Sequence, residues 1–202
     1  MDEKLLAWGL RGKSSELPRL WLFTDDQRLP DPRASVGRLP RGRAGVVLRH
    51  DQHLARSALG WELARICAAR RLVLVVAGDV RLAAHLRAGV HLRGGRWPGP
   101  LRHSGVVTSS AHSVADVRRA RAAGAGLVFV SPAFATESHA GAPGLGPLRW
   151  AAIARAAMPR MTMARPVGAG IAALGGVNGS SVKRLPARLL RAVGAIGALS
   201  HG

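Results

Sequence analysis

Apolar residues fall in eight short runs along the chain, most of them bounded by turn or polar residues. They are "LWLF" (Leu20 to Phe23), "GVVL" (Gly45 to Leu48), "LVLVVA" (Leu72 to Ala77), "GVHL" (Gly89 to Leu92), "GVVT" (Gly105 to Thr108), "LVFV" (Leu127 to Val130), "IAAL" (Ile171 to Leu174) and "VGAI" (Val193 to Ile196). Most are continuous rather than alternating, as expected of parallel strands covered on both faces. Between them, Ala55, Leu59, Leu63 and Ile66 step at helical spacing, as do Val114, Val117 and Ala120. Ser113 and Asp116 form an S-x-x-D capping box before the second of these helices, and Gly124 stands where a left-handed C-terminal cap belongs. Recurrent glycines open the runs at Gly45, Gly89, Gly105 and Gly126, as repeated β-α units require. The pattern predicts an α/β chain folded as a single small (β/α)8 TIM barrel, with a doubly wound open sheet as the competing arrangement. Residues 1-18 read as an N-terminal extension and 19-202 as the barrel domain.

Composition narrows the function classes. A chain of 202 residues, 48% hydrophobic, is long enough for one domain with a full core. Its single cysteine, Cys67, falls on the apolar face of a helix and excludes an internal disulfide or a Cys-based zinc site. The N-terminus resembles neither a secretory signal nor a transit peptide, and no apolar run approaches the roughly 20 residues that span a bilayer. The expectation is a cytoplasmic protein with no membrane partner; a homo-oligomer is left open. The formal net charge of +19 comes almost entirely from arginine, with only Lys4, Lys13 and Lys183 as lysines. The arginines are spread through the chain, which suits solvated faces and the attraction of small phosphorylated molecules more than a dedicated nucleic-acid groove. A basic nucleic-acid-binding protein is the alternative from another class, and it lacks an aromatic platform, there being no Tyr and three Phe.

In a barrel of this kind the chemistry sits where strands end, so the residues just after each apolar run become candidates. In order they include Thr24 with Asp25 and Asp26, Arg49 with His50 and Asp51, Gly78 with Asp79, Arg93 through Arg96, Ser109 with Ser110, Gly175 with Gly176, and Gly197. The long loop "SPAFATESHAGAPGLGP", Ser131 to Pro147, hangs on the sixth run and reads as an active-site loop.

These strand ends resemble, in order, the thiamine phosphate synthase and TenI family over roughly Leu20 to Leu199. The likeness is carried by "LFTDD", "VLRHD", "AGDVRLA", "GVHLRGGR", "SAHS", "SPAFATESHAGAPGLG" and "ALGGV". The resemblance implies a condensation of hydroxymethylpyrimidine pyrophosphate with a thiazole phosphate, releasing pyrophosphate. Such a reaction needs charge neutralisation at the departing pyrophosphate more than a general base.

The resemblance also assigns roles. Arg49 corresponds to a pyrophosphate-binding Arg, Ser110 to a hydroxyl donor, and Thr136 and Ser138 to two hydroxyls that contact substrate, with His139 in place of a Lys. A His there would hold phosphate less well as pH rises. Gly175, Gly176, Ile196 and Gly197 correspond to backbone amides that cradle the thiazole phosphate. Asp79 corresponds to a ligand of Mg2+ and reads equally well as the N-cap of a helix starting at Val80. The departures cluster: Val47 stands for a Gln, Asp51 for a Lys, Gly78 for an Asn, and Arg96 for the second metal-ligating Asp, where its charge is a candidate substitute for the metal's. His112 and Ser113 suit the capping turn, and His91 and Cys67 are read as structural. A TenI-like or degenerate relative that binds thiazole phosphate without condensing it is the alternative, although Pro132 stands where the tautomerase branch uses a His. The segment 165-172, within "RPVGAGIAALGG", is longer than the family pattern and has no physical account.

Overall fold

The computed structural model describes residues 1-11, 17-103, 105-136, 143-156 and 169-200. Eight parallel strands form a closed barrel in chain order: β1 (Leu20–Phe23), β2 (Ala44–Leu48), β3 (Val73–Ala77), β4 (Gly89–Arg93), β5 (Val107–Ala111), β6 (Leu127–Val130), β7 (Gly170–Leu174) and β8 (Ala192–Ala195). β1 pairs with β8 as well as with β2, so no edge is left open. The helices are α1 (Glu3–Leu10), α2 (Arg33–Arg38), α3 (Arg56–Arg70), α4 (Val80–His85), α5 (Val114–Ala122) and α6 (Gly146–Ala156), with a 3₁₀ turn at Ser181–Arg184 between β7 and β8. Among the described residues the connection from β4 to β5 contains no helix. The chain is therefore the small (β/α)8 barrel expected from the pattern, and not an open sheet.

Although the strands read as unbroken apolar runs, alternate residues enter two separate cores. Trp21, Phe23, Val47, Val75, Ala77, Leu127, Phe129, Ala172 and Ala192 fill the interior of the barrel. Their neighbours along the strands, such as Leu22, Val46, Val76, Val90 and Val128, face outward against Leu59, Leu63, Val117 and Trp150 of the helices. The interior depends on glycine opposite its largest rings. A Cβ on Gly45 would lie 2.4 Å from the Trp21 ring, and one on Gly194 would lie 2.6 Å from the Phe23 ring. Trp21 and Phe23 each meet Phe129 edge to face, with centroids 5.8 Å and 4.9 Å apart.

Local signals are realised with small shifts. The Ser113 Oγ accepts the Asp116 N–H, but the Asp116 carboxylate reaches one residue further back, to the N–H of His112 at 2.9 Å. Gly124 adopts φ +85° at the helix end. On α3 the buried face is Leu59, Gly60, Leu63 and Cys67, while Ala55 is the exposed N-cap and Ile66 is half-buried. The face turns because Gly60 gives Leu86 room: a Cβ there would lie 2.8 Å from it. Burial pushes the Cys67 thiol up to about 12, so it stays protonated. Strand β5 begins two residues later than the run Gly105 to Thr108 and extends through Ser109 and Ser110. Those hydroxyl residues are accommodated because the Ser109 Oγ, fully buried, accepts the Gly95 N–H and shares its one proton between the Leu92 and Ser110 carbonyls.

The N-terminal residues pack on the barrel. Leu5 is fully buried, Asp2 caps α1, and Asp2 is joined to the loops after β7 and β8 through Gly179 and Ala198. At the other end of α1, Gly9 lies against Leu20 and the Leu10 carbonyl accepts from Arg43. The helix thus runs antiparallel to the strands and covers the β8–β1 seam.

Replacing Gly45 with Val should destabilise the protein by about 1–3 kcal/mol, because the added side chain overlaps the Trp21 ring in a filled interior. A lowered urea midpoint with unchanged m-value is the expected result. An unchanged midpoint would mean that Trp21 does not occupy that space.

Candidate functional site

Because all eight strands are parallel, their C-terminal ends share one rim, and the alternation inside each strand decides which side chains point into it. On β4 the inward series is Gly89, His91 and Arg93, which pair across to Thr108 and Ser110 of β5 and onward to Phe129 of β6. His91 sits in the centre of the barrel, 2% exposed, with its ring edge-on to Phe23 at 5.4 Å and its Nδ1 2.9 Å from the Thr108 Oγ1. Burial, reinforced by the nearby guanidiniums of Arg49 and Arg93, pushes its pKa down to about 3. The imidazole is therefore a neutral floor beneath the rim, in keeping with its structural reading.

Above it, between β1 and β4, four guanidiniums interleave with three carboxylates. Asp25 holds Arg28 at 2.8 Å and faces Arg49 at 3.7 Å. Burial pushes the Asp25 pKa up, but the hydrogen bonds from the Arg28 side chain and backbone outweigh it and hold the group at about 2. Asp51 lies between Arg56 at 3.3 Å and Arg93 at 2.5 Å. Arg56 also donates to the Ala77 carbonyl at 2.7 Å and reaches Asp79 at 3.8 Å. Arg49 is fixed through its backbone, its N–H donating to the buried Thr24 Oγ1 at 2.9 Å, and burial lowers its pKa against the opposing pull of Asp25. The same Thr24 hydroxyl meets His50, whose ring is buried between it and the Pro30 carbonyl. His50 is thus an anchor for the β2 end.

The other half of the rim is built from backbone. The start of the β6 loop continues the sheet onto the β7 end, with Ala133 N–H donating to the Leu174 carbonyl and Phe134 N–H to that of Gly175. The loop returns at Leu145 and Gly146, which donate to the Pro132 and Ala133 carbonyls. Gly175 and Gly176 have φ of +90° and +62°, and a Cβ on Gly176 would lie 2.3 Å from the Ala135 carbonyl, so this crossing requires glycine. Ile196 and Gly197 follow β8, the neighbour of β7. Among the described residues no acceptor takes the N–H groups of Gly175, Gly176, Ile196 or Gly197.

The expected site residues thus lie at one end of the barrel. Arg49, Asp79 and Ser110 end β2, β3 and β5, the half-buried Thr136 follows β6, and the glycine and isoleucine positions end β7 and β8. Ser138 and His139 lie outside the described residues, as do positions 165-168 of the segment 165-172, whose remainder leads into β7. The His112 N–H is held by Asp116 and Ser113 caps α5, both within the capping turn as read from the sequence, while the His112 ring meets the Ser131 carbonyl at 2.8 Å. Arg96 lies exposed on the tight turn after β4, its N–H donating to the Arg93 carbonyl, with no ion pair among the described residues. The side chain that joins the charged cluster from that segment is Arg93, which sequence reasoning passed over as one of several polar residues after a strand. Its two-residue spacing from His91, on a strand entering the interior at Gly89, is the signal that marks it as inward-facing.

The carboxylates do not form a cradle for Mg2+. Asp79 accepts the Leu82 N–H at 2.9 Å as the cap of α4 and faces Arg56 with its other oxygen. Both Asp51 oxygens face guanidiniums. Among the described residues no group of three His, Cys, Asp or Glu side chains converges as metal ligands do.

Comparison with known proteins agrees with this architecture. Residues 30–199 match the family described as thiamine monophosphate synthase (TMP-TENI). The chain belongs to the thiamine monophosphate synthase and TenI family. Among solved structures it is similar to a thiamine phosphate pyrophosphorylase from Pyrococcus furiosus, with TM-score 0.66 and 18% identity over 88% of this chain and 85% of that one. A thiamine phosphate pyrophosphorylase from Bacteroides thetaiotaomicron gives TM-score 0.50 and 18% identity over 89% and 82%. An HpcH/HpaI aldolase/citrate lyase family protein from Burkholderia cenocepacia gives 0.58 and 14% over 94% and 92%. Likeness at these identities shows the shared barrel alone. No curated protein sequence matches the chain. No described helix is long and apolar enough to cross a membrane.

The neutral His91 makes stability pH-dependent with a definite sign. Its folded pKa of about 3 lies below the reference value of 6.5, so the unfolded chain takes up a proton first. Its contribution is complete above about pH 6.5 and is lost progressively as pH falls towards 3. In His91→Leu the urea midpoint should fall less between pH 7 and pH 5 than in the natural protein. Equal falls in both would show that His91 does not carry this linkage.

Proposed function

We propose that this protein condenses hydroxymethylpyrimidine pyrophosphate with thiazole phosphate to give thiamine phosphate and pyrophosphate. The carrying observation is the rim itself: in a chain of this family, a guanidinium-rich half over β1 to β4 stands opposite a half offering backbone N–H groups after β7 and β8. Two phosphorylated substrates of unequal charge suit two such halves.

In this reading the pyrophosphate lies over Arg49 and its neighbours. The bond between the pyrimidine methylene carbon and the pyrophosphate oxygen breaks, and its electron pair leaves with the oxygen. The thiazole nitrogen donates its lone pair to the methylene carbon, forming the new C–N bond and a thiazolium. Charge is conserved, because the cation that appears on the thiazolium matches the negative charge gained by released pyrophosphate. The protein's part is to neutralise the leaving group and to orient the acceptor, since no proton need be taken from either reacting atom. Ser110, in register with Arg93, is a hydroxyl donor between the two halves. Gly175, Gly176, Ile196 and Gly197 hold the thiazole phosphate through N–H groups, and Thr136, half-buried after β6, is a further hydroxyl at the rim.

A second reading, binding of thiazole phosphate without condensation, draws support from the engagement of Asp79 with α4 and Arg56, which takes it from metal ligation. Purified protein supplied with both precursors, with and without Mg2+, should form thiamine phosphate. Arg49→Ala should lower kcat/KM by roughly 30- to 1000-fold, equivalent to about 2–4 kcal/mol of transition-state stabilisation. Measurable binding of thiazole phosphate with no turnover under any of these conditions selects the second reading.

A further inference from the structure

Three features of the rim that look unrelated along the chain meet in space. Gly78 has φ +67°, and a Cβ built on it would lie 3.4 to 3.5 Å from the Nε, Cζ and Nη2 atoms of Arg93. The guanidinium therefore lies against the bare glycine backbone, and any side chain longer than a methyl at position 78 would enter the space it fills. Its Nη2 donates to Asp51 at 2.5 Å, and Asp51 in turn is shared with Arg56. One carboxylate thus holds two guanidiniums, leaving an excess of positive charge. Arg93 spends one nitrogen on this contact; among the described residues its Nε and Nη1 meet no acceptor, and the side chain is 59% exposed, so these donors face the open rim.

We propose that Gly78, Asp51 and Arg93 act as one unit that presents the Arg93 guanidinium to a diphosphate group, and that this site binds the diphosphate without a divalent metal. Asp51 is the positioning residue, Gly78 supplies the space, and Arg93 touches the ligand alongside Arg49. Arg49 and Arg93 each lie two residues beyond an interior side chain, Val47 on β2 and His91 on β4, a paired arrangement suited to an anion with oxygens on two phosphorus atoms. Arg56, half-buried between Asp51, Asp79 and the Ala77 carbonyl, keeps the carboxylates turned away from a cation. Asp51 seen alone would repel phosphate; with Arg93 attached it becomes the means of holding a charge that reaches further into the rim than a residue on β2 does.

The identity of the anion rests on the function proposed above, whereas its recognition is tested without turnover. Inorganic pyrophosphate titrated calorimetrically into the full chain in EDTA should bind, with an affinity that excess Mg2+ does not raise more than about twofold. Arg93→Ala should weaken it tenfold or more, and Arg93→Lys should recover only part of the loss, since an ammonium cannot fork onto two oxygens. Gly78→Asn keeps a residue tolerated at positive φ and displaces the guanidinium; it should weaken binding comparably, and adding Arg93→Ala to it should cause little further loss. Thermal midpoints report whether each variant stays folded. An Arg93→Ala protein that is folded and binds as the natural one does overturns the proposal, and so does binding that appears only with Mg2+. If pyrophosphate binds in EDTA through Arg93 but no thiamine phosphate forms, this inference stands and the condensation falls. Condensation that strictly requires Mg2+, with binding indifferent to Arg93, does the reverse.

Discussion

Pairing of β1 with β8, Leu20 beside Val193, Trp21 beside Gly194 and Leu22 beside Ala195, is the contact on which the remaining structure depends. Without it the eight strands would be a sheet with two exposed edges, and the inward residues of β1 and β8 would face no common interior. With it, Phe23, Phe129 and His91 meet at the axis, and every strand end is brought to one rim. The closure in turn rests on small residues beside large ones: Gly45 and Gly194 leave the volume that Trp21 and Phe23 occupy. Helix α1 covers the same seam from outside, so residues remote in the chain, Asp2 and Gly179, secure the closure together.

A closed interior also explains how so basic a chain keeps an ordered rim. The charged residues of β1 to β4 stand just above that filled interior, with Asp25 and Arg56 the most sheltered among them. They are arranged as shared partners, Asp25 between Arg28 and Arg49, Asp51 between Arg56 and Arg93. Each carboxylate fixes two cations while cancelling the charge of one. The remainder of the +19 net charge lies elsewhere and bears on steering and solubility.

Much of the architecture was legible because its signals are local. The run Leu127 to Val130 coincides with β6, and Leu20 to Phe23 with β1, since unbroken apolar runs between turn residues leave little latitude. The cap at Ser113 and the left-handed Gly124 were readable for the same reason. β5 was displaced because it runs on through two serines, whose hydroxyls look like loop until Gly95 and Leu92 are seen to satisfy Ser109. The shifted face of α3 depends on Leu86, a residue of the next unit, and has no signature within the helix itself.

The candidate site divides along the same line. By itself the sequence determined the class of fold, the order of strand ends and hence the list of residues that reach one rim, because strand period, glycine placement and motif order are properties of neighbours in the chain. It could also show that Gly78, Asp51 and Arg96 depart from the family pattern, but each then reads as a separate loss. Only the tertiary structure decided that Asp51 and Gly78 belong with Arg93 and that Arg96 stands apart on its turn, since the distances joining β2, β3 and β4 are set by barrel register and by which face each side chain takes. The sign of a charge can be read from a chain, but its partner is chosen by packing.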